Sequence, residues 1–129
     1  MIKNKKFADE EIVDILARIE NPNSASKSIA FPLFLREYLL RENESYLYDI
    51  WLRYCEVCIF KQYHPITYAT AYRYLRQVLQ NGLIEKTRKE EPDMGSSNLR
   101  PSRKRQYYGL NQARIDDPKW KSITYQVSG

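Results

Sequence analysis

The fold is decided by residues 67–86, which read TYATAYRYLRQVLQNGLIEK. Apolar side chains recur there at three- and four-residue spacing, which predicts an amphipathic helix. Thr67 can cap the start of this helix, and Gly82 is the residue type that commonly follows a helix C-terminus. The sequence therefore predicts a helix over 67–81, with a strand following directly after Gly82.

Two strands and a long loop are predicted after this helix. Residues 83–89 form the first strand and residues 104–110, KRQYYGL, form the second, while Pro, Gly and Ser between them favour a loop. The natural pairing is a β-hairpin with a long tip. Its cations are Lys86, Arg88, Lys89, Arg100, Arg103, Lys104 and Arg105. Because side chains alternate across a strand, we expect only about half of these cations to touch a partner.

Three helices are predicted upstream. Residues 7–20 carry apolar side chains at helical spacing and acidic residues near the start, where the helix dipole favours them. A turn-forming linker over 21–26 separates this helix from one over 31–41, in which Pro32 falls in the first turn. A third helix is predicted over 46–63.

The helix over 46–63 is apolar around most of its circumference. Its polar side chains form a narrow stripe, Asp49, Arg53 and Glu56, whose spacing lets them pair along the helix. A helix of this kind needs cover on more than one side. In so short a chain another subunit can supply the second cover, so this helix and the one over 7–20 are the predicted surfaces of a homodimer.

The final segment has an ambiguous pattern. Ile123, Tyr125 and Val127 alternate as in a short strand, but the segment could equally be a tail that docks on the domain or on a partner. The chain is therefore divided into an N-terminal helix and linker (1–25), a central domain (26–111) and a C-terminal tail or short strand (112–129).

Charge is distributed unevenly along the 129 residues, 43% of which are hydrophobic. The net charge is +5, and residues 1–60, 61–105 and 106–129 contribute −2, +6 and +1 to it. The whole basic excess thus lies in the middle, as expected of a surface that binds a polyanion. A solvated hairpin that is rich in Lys and Arg would give the same composition, so both interpretations stay open at this point.

Several other classes of protein are excluded. No apolar run approaches the roughly 18 residues of a membrane span, and no hydrophobic signal core follows Met1, so we expect a soluble, cytoplasmic protein. Cys55 and Cys58 fall within an apolar helix, which favours two buried thiols over a redox motif or a zinc site. His64 is the one histidine of the chain and lies beside Pro65 in a predicted turn. We therefore expect no enzymatic activity, no cofactor and no metal.

Helix, turn, helix and basic hairpin follow one another in the order of a winged helix-turn-helix domain. Residues 67–86 and 103–111 resemble the PadR-type and related MarR/ArsR-type winged-helix regulators, including those of archaea and of their viruses and plasmids. The positions that match the PadR pattern are Tyr72, Leu75, Val78, Gly82, Leu83, Ile84, Arg103, Arg105, Tyr108 and Leu110. Asn111 stands where PadR proteins usually have Thr, the loop over 90–103 is long, and their C-terminal dimerisation helix has no counterpart here.

The resemblance spans residues 47–110 and implies both a fold and a function. The expected fold is mainly α with a small β-hairpin (α+β), a winged helix-turn-helix with an extra N-terminal helix. The expected function is that of a homodimeric transcriptional regulator that binds double-stranded DNA sequence-specifically. The helix over 67–81 would enter the major groove, and the hairpin over 83–110 would follow the backbone or the minor groove.

The two faces of the helix over 67–81 are assigned different roles. The residues expected to contact DNA are Thr67, Tyr68, Thr70, Arg73, Tyr74 and Gln77. The residues expected to face the core are Tyr72, Leu75, Val78 and Leu79. Arg73 is the leading candidate for base reading, because a guanidinium can hold guanine O6 and N7 in bidentate fashion. The tyrosines whose positions favour the core over base stacking are Tyr38, Tyr48, Tyr54, Tyr72 and Tyr108.

Two alternative functions stay open. The same fold can serve as a replication or partition adaptor of a plasmid or virus, which binds DNA without regulating a promoter. A winged helix can also act purely in protein contacts, with the basic hairpin docking on an acidic partner. Steep salt dependence of duplex binding would separate the DNA-binding functions from the protein adaptor.

Overall fold

A computed structural model of the chain describes residues 6–19, 28–92 and 104–124. The helices of these ranges are α1 (Asp9–Ile19), α2 (Phe31–Glu42), α3 (Leu47–Phe60), α4 (Tyr68–Gln80) and α5 (Lys119–Thr124). The strands are β1 (Ser45–Tyr46), β2 (Ile84–Pro92) and β3 (Lys104–Leu110), and a short 3-10 helix spans Gln112–Arg114. The chain is mainly helical with a small antiparallel sheet, which confirms the α+β class. The linker predicted over 21–26 and residues 93–103 of the predicted loop lie outside the described residues, whereas residues 90–92 of that loop belong to β2.

The helix that decides the fold begins and ends as its sequence predicts. The Thr67 hydroxyl accepts a hydrogen bond from the backbone N–H of Thr70 at 3.2 Å, which caps the helix start. After Gln80 the chain turns through Gly82, whose φ of +75° is a conformation that glycine adopts at little cost. β2 follows within two residues, so α4 and the hairpin are joined by a short connection.

The sheet has a third strand that the sequence pattern does not reveal. Its strand order is β1-β3-β2, with both pairs antiparallel. Ser45 pairs with Tyr108 and Tyr46 with Tyr107, so the two residues before α3 are tied to the edge of the hairpin. A strand of two residues is too short to show alternation, which explains why it is absent from the prediction.

The core is organised around α2, which contacts α1, α3, α4 and α5. Phe34, Leu35 and Tyr38 of this helix are completely buried, as the predicted apolar stripe requires. Phe34 and Tyr38 stack at 5.7 Å between ring centroids, and Tyr54 of α3 meets Phe34 edge-on at 5.8 Å. The central position of α2 leaves α4 at the surface of the helical layer with one face exposed.

Two of the three residues in the polar stripe of α3 are buried. Arg53 and Glu56 are 6% and 4% exposed, and Arg53 Nη1 lies 2.6 Å from Glu56 Oε2. Glu56 Oε1 accepts hydrogen bonds from the backbone N–H groups of Lys6 and Phe7, at 3.0 and 3.1 Å. The chain just before α1 thus covers part of α3. The predicted pairing along the stripe is confirmed, with Arg53 Nε 3.6 Å from Asp49 Oδ1.

The C-terminal segment docks on the domain as a helix, so the alternative of a short strand is wrong for residues 119–124. Trp120 is completely buried, Ile123 is 6% exposed, and α5 contacts α2 and α4. The two side chains are three residues apart, a spacing that puts them on one helical face, and this outweighs the weak alternation. Tyr125 and Val127 lie outside the described residues. None of the helices within the described ranges is long and apolar enough for a membrane span.

Candidate nucleic-acid interface

One face of α4 is packed on the core and the other is exposed. Ala71, Leu75 and Val78 are buried. The exposed face carries Tyr68, Tyr72, Arg73, Arg76, Gln77 and Gln80. It therefore presents two aromatic rings, two guanidinium groups and two amides on a single helix, which are groups that read base edges and bind phosphates.

Two tyrosines of α4 differ in exposure from what the sequence predicts. Tyr72, expected in the core, is 47% exposed, whereas Tyr74, expected to contact DNA, is partly buried with its ring 6.4 Å from that of Phe31. The expected core position of Tyr72 is wrong, whereas the DNA contact of Tyr74 stays a prediction for a side chain that packs partly against the core. Both positions have one reason. The buried face includes the small residue Ala71, which rotates its centre towards Tyr74 and away from Tyr72.

The other tyrosines predicted to lie in the core also differ in exposure. Tyr38 and Tyr54 are completely buried and Tyr108 packs partly against the core, which confirms three of the core assignments. Tyr48 is 52% exposed, so its assignment to the core is wrong. It lies at the start of α3, where the exposed side of the helix faces α4 and β3 rather than α2.

The N-terminal half of α4 holds its polar side chains in defined positions. Thr67, which caps the helix, is exposed. Thr70 is half-buried, and its hydroxyl lies 3.3 Å from Arg73 Nη2. The guanidinium of Arg76 lies 5.9 Å from the centroid of the Tyr72 ring, within the range of a cation–π contact. Arg76 is missing from the sequence-based set of site residues, although its i+3 spacing from Arg73 places both on the same face.

The hairpin supplies further cations. Lys86 is exposed on β2 and pairs with Tyr108, while the guanidinium of Arg105 on β3 lies 4.1 Å from the centroid of the Tyr46 ring. The backbones of Arg88, Lys89 and Lys104 lie within β2 and β3. The register shifts on both sides of Arg88, so simple alternation does not hold along β2. Arg100 and Arg103 lie outside the described residues.

A cavity of about 700 Å³ lies between the hairpin and the helices α3 and α4. Its lining comes from α3 and the residue before it (Tyr46, Leu47, Tyr48, Trp51), from α4 (Tyr68, Tyr72, Leu75) and from β3 (Arg105, Gln106, Tyr108). The N-terminal half of α4 and the middle of β3 therefore border the same concave surface. The sequence does not predict this cavity, because its walls come from three separate segments that only the tertiary structure brings together.

The two cysteine thiols belong to the buried core and do not line the cavity. Cys55 and Cys58 are buried, and burial raises the pKa of the Cys55 thiol to about 11 and that of Cys58 to about 12. Both groups are therefore protonated near neutral pH, as is usual for buried thiols. His64 is exposed in the segment between α3 and α4. Within the described part of the chain no group of three or more His, Cys, Asp or Glu side chains is arranged to hold a metal ion.

Comparison with models of protein families, with curated proteins and with solved structures finds no match to this chain. The assignment of a function therefore depends on the geometry and chemistry of the residues described above.

Proposed function

We propose that the protein is a winged helix-turn-helix protein that binds double-stranded DNA sequence-specifically. In this proposal α3, the turn after it and α4 form the helix-turn-helix, with α4 in the major groove, and β2 with β3 forms the wing. The observation that carries the proposal is the shared concave surface, to which α4 contributes Tyr68 and Tyr72 and β3 contributes Arg105 and Gln106. A reading helix and a basic ribbon on one side would give DNA a continuous footprint.

The exposed chemistry of α4 supports base reading. Arg73, Arg76 and Gln77 are exposed on a helix whose opposite face is fixed to the core by Leu75 and Val78. Arg can hold guanine and Gln can hold adenine in bidentate fashion, and each such pair discriminates by about 1–3 kcal/mol. Thr67 and Thr70 lie at the N-terminus of α4, where hydroxyl and backbone N–H groups commonly bind a phosphate.

The charge distribution supports contact with a polyanion. Residues 61–105, which include α4, β2 and the start of β3, contribute +6 to the net charge of +5, whereas residues 1–60 contribute −2. Lys86 and Arg105 belong to the hairpin, and Arg73 and Arg76 belong to α4. Lys and Arg on two adjoining elements neutralise several phosphates at once, and the release of counterions supplies much of the affinity for DNA.

We further propose that the protein acts as a homodimer and regulates transcription. One helix contacts only a few base pairs, whereas a two-fold dimer reads a pseudo-palindrome with half-sites about one helical turn apart. Exposed apolar side chains of α1 and α3, among them Val13, Ile59 and Phe60, offer a surface for such a dimer. Sedimentation equilibrium tests this part, and a monomer at micromolar concentration would contradict it.

Duplex binding tests the central proposal. Fragments selected from a random DNA pool are titrated with the protein at several salt concentrations, with fluorescence anisotropy as the readout. We expect log K to fall linearly with log salt, with a slope of about −0.9 for each phosphate neutralised. Arg18→Ala on α1 is a matched control, because Arg18 is an exposed cation away from α4 and the hairpin. Absence of any duplex binding at low salt would contradict the proposal and favour a protein adaptor.

A further inference from the structure

We propose that the cavity between α3, α4 and β3 binds an unpaired nucleobase by stacking it on aromatic side chains. The protein would then prefer DNA with an extruded or unpaired nucleotide to a perfect duplex. This inference rests on the proposed function, because that function puts the cavity on the face that meets DNA. It adds a ligand class, a single base with its phosphate, that base reading in the major groove does not require.

The aromatic side chains of the cavity form one connected cluster. The Tyr68 ring lies 5.5 Å from Trp51 and 5.9 Å from Tyr48, at interplanar angles of 78° and 67°. Tyr48 and Trp51 lie 6.1 Å apart at 36°. Because two of the three interplanar angles are large, the ring faces point in different directions, and the rings form the walls of a slot rather than a closed stack.

The cluster is both exposed and held in place. Tyr48 and Tyr68 are 52% and 42% exposed, and adjoining large aromatic side chains at a surface mark a binding site more often than isolated ones do. The Trp51 indole N–H donates to the Ile66 carbonyl oxygen at 3.0 Å, which anchors the ring to the turn before α4. A platform that is already ordered loses little conformational entropy when a base stacks on it.

The size of the cavity suits a nucleotide. Its volume of about 700 Å³ lies within the range of roughly 300–1,000 Å³ that is typical of small-molecule sites. The flat walls come from tyrosine and tryptophan, which favour a planar ligand, because every nucleobase has a face that can stack on an aromatic ring. An aliphatic peptide side chain would gain no comparable stacking from these rings.

The charge at the cavity suits a ligand that carries a phosphate. Arg105 lies in the wall with its guanidinium over Tyr46, and Arg76 lies over Tyr72. Within the described part of the chain, no carboxylate lines the cavity. Gln106 also lines the cavity, and its amide N–H donates to the Tyr107 carbonyl oxygen at 2.9 Å. Aromatic faces interleaved with guanidinium groups are the combination that binds single-stranded nucleic acid.

A bulged duplex tests the inference. One probe is a 16-base-pair duplex, and the other is the same duplex with one additional unpaired 2-aminopurine, whose fluorescence falls when the base stacks. An unpaired base enters the cavity without the energetic cost of breaking a base pair. We expect the bulged duplex to bind roughly 5- to 100-fold more tightly than the perfect one, with quenching of the 2-aminopurine.

Substitutions of single residues test whether the preference for the bulged duplex arises at this cavity. Tyr68→Leu and Tyr48→Leu change exposed side chains, and each is expected to reduce the ratio of the two affinities to within about twofold of unity. Leu40→Ala is the control, because Leu40 is an exposed apolar residue on α2 and lies outside the cavity. Its ratio should equal that of the unchanged protein. Loss of the preference in Leu40→Ala as well would overturn the assignment to this cavity.

The two proposals fail in different ways. If perfect and bulged duplexes bind equally well and the 2-aminopurine signal does not change, the base-binding inference is overturned while the proposed function stands. If neither duplex binds at low salt, the proposed function is overturned and the inference with it. Tight binding of the bulged duplex with quenching, lost in Tyr68→Leu, supports the inference.

Discussion

The guanidinium of Arg53 and the carboxylate of Glu56 form a buried ion pair on α3, with Nη1 and Oε2 2.6 Å apart and side chains only 8% and 2% exposed. Glu56 also accepts two backbone N–H groups from the segment before α1. Tyr38 donates from its hydroxyl to Asp49 at 2.6 Å, and Asp49 lies 3.6 Å from Arg53. One connected polar network thus links the start of α1 to α2 and α3.

Removal of Glu56 is expected to destabilise the protein strongly. Glu56→Ala leaves Arg53 buried without this partner and deprives the N–H groups of Lys6 and Phe7 of their acceptor. Breaking a buried pair from one side typically costs about 3–5 kcal/mol. Urea unfolding measures the change, with Glu10→Ala as the control, since Glu10 is exposed on α1. A loss below about 1 kcal/mol for Glu56→Ala would contradict the prediction.

Gly109 is required by the close approach of two other segments to β3. A Cβ at this position would lie 2.7 Å from Thr87 Cγ2 and 3.1 Å from the carbonyl oxygen of Asn43. Gly109→Ala is therefore expected to lower the free energy of unfolding by about 1–3 kcal/mol. Thr87→Ser removes the methyl group and should recover part of this loss, whereas the Asn43 backbone cannot yield as easily. Urea unfolding of the two single variants and the double variant measures this, and additive losses would contradict the account.

The elements that the sequence predicts well are those with a complete local signal. α4 has a capping threonine, an apolar face and a terminal glycine, and α2 carries its proline in the first turn. β3 spans Lys104–Leu110, the same residues as the predicted strand. In each case the information lies within the segment itself, so no tertiary contact is needed to find its ends.

The features that the sequence does not predict depend on contacts between distant segments. Arg53 and Glu56 form a narrow polar stripe in the sequence, but two partners of Glu56 come from the backbone before α1, about fifty residues away. β1 exists only because two residues pair with β3. The aromatic cavity is a further case, since Trp51, Tyr68 and Arg105 belong to three separate elements. Local periodicity carries no information about such contacts.

The buried thiols predict a loss of stability at alkaline pH. Burial raises the pKa of Cys55 to about 11 and that of Cys58 to about 12, whereas a thiol of the unfolded chain ionises near pH 8.5. Their contribution is therefore fully present below about pH 8.5 and is lost as the pH rises towards about 12, by up to roughly 1.4 kcal/mol per pH unit for each thiol. Urea unfolding under reducing conditions from pH 7 to 10 measures the slope.

The matched comparison is the double variant Cys55→Ala/Cys58→Ala. It is expected to be less stable at pH 7, because it leaves small cavities, but its stability should fall less steeply above about pH 8.5. Tyrosine and lysine side chains titrate in both proteins, so the difference in slope reports the thiols. Equal slopes for the two proteins would contradict the assignment.

Arg73 is expected to read bases, whereas Lys86 is expected to contact phosphates. Arg73→Ala should weaken binding to a selected site by about 1–3 kcal/mol more than binding to random duplex, because a bidentate contact with guanine is sequence-dependent. Lys86→Ala on the exposed side of β2 should weaken both by similar factors and reduce the salt slope by about one phosphate. Fluorescence anisotropy with both duplexes measures these ratios. Equal losses on the two duplexes for Arg73→Ala would show that this side chain of α4 does not read sequence.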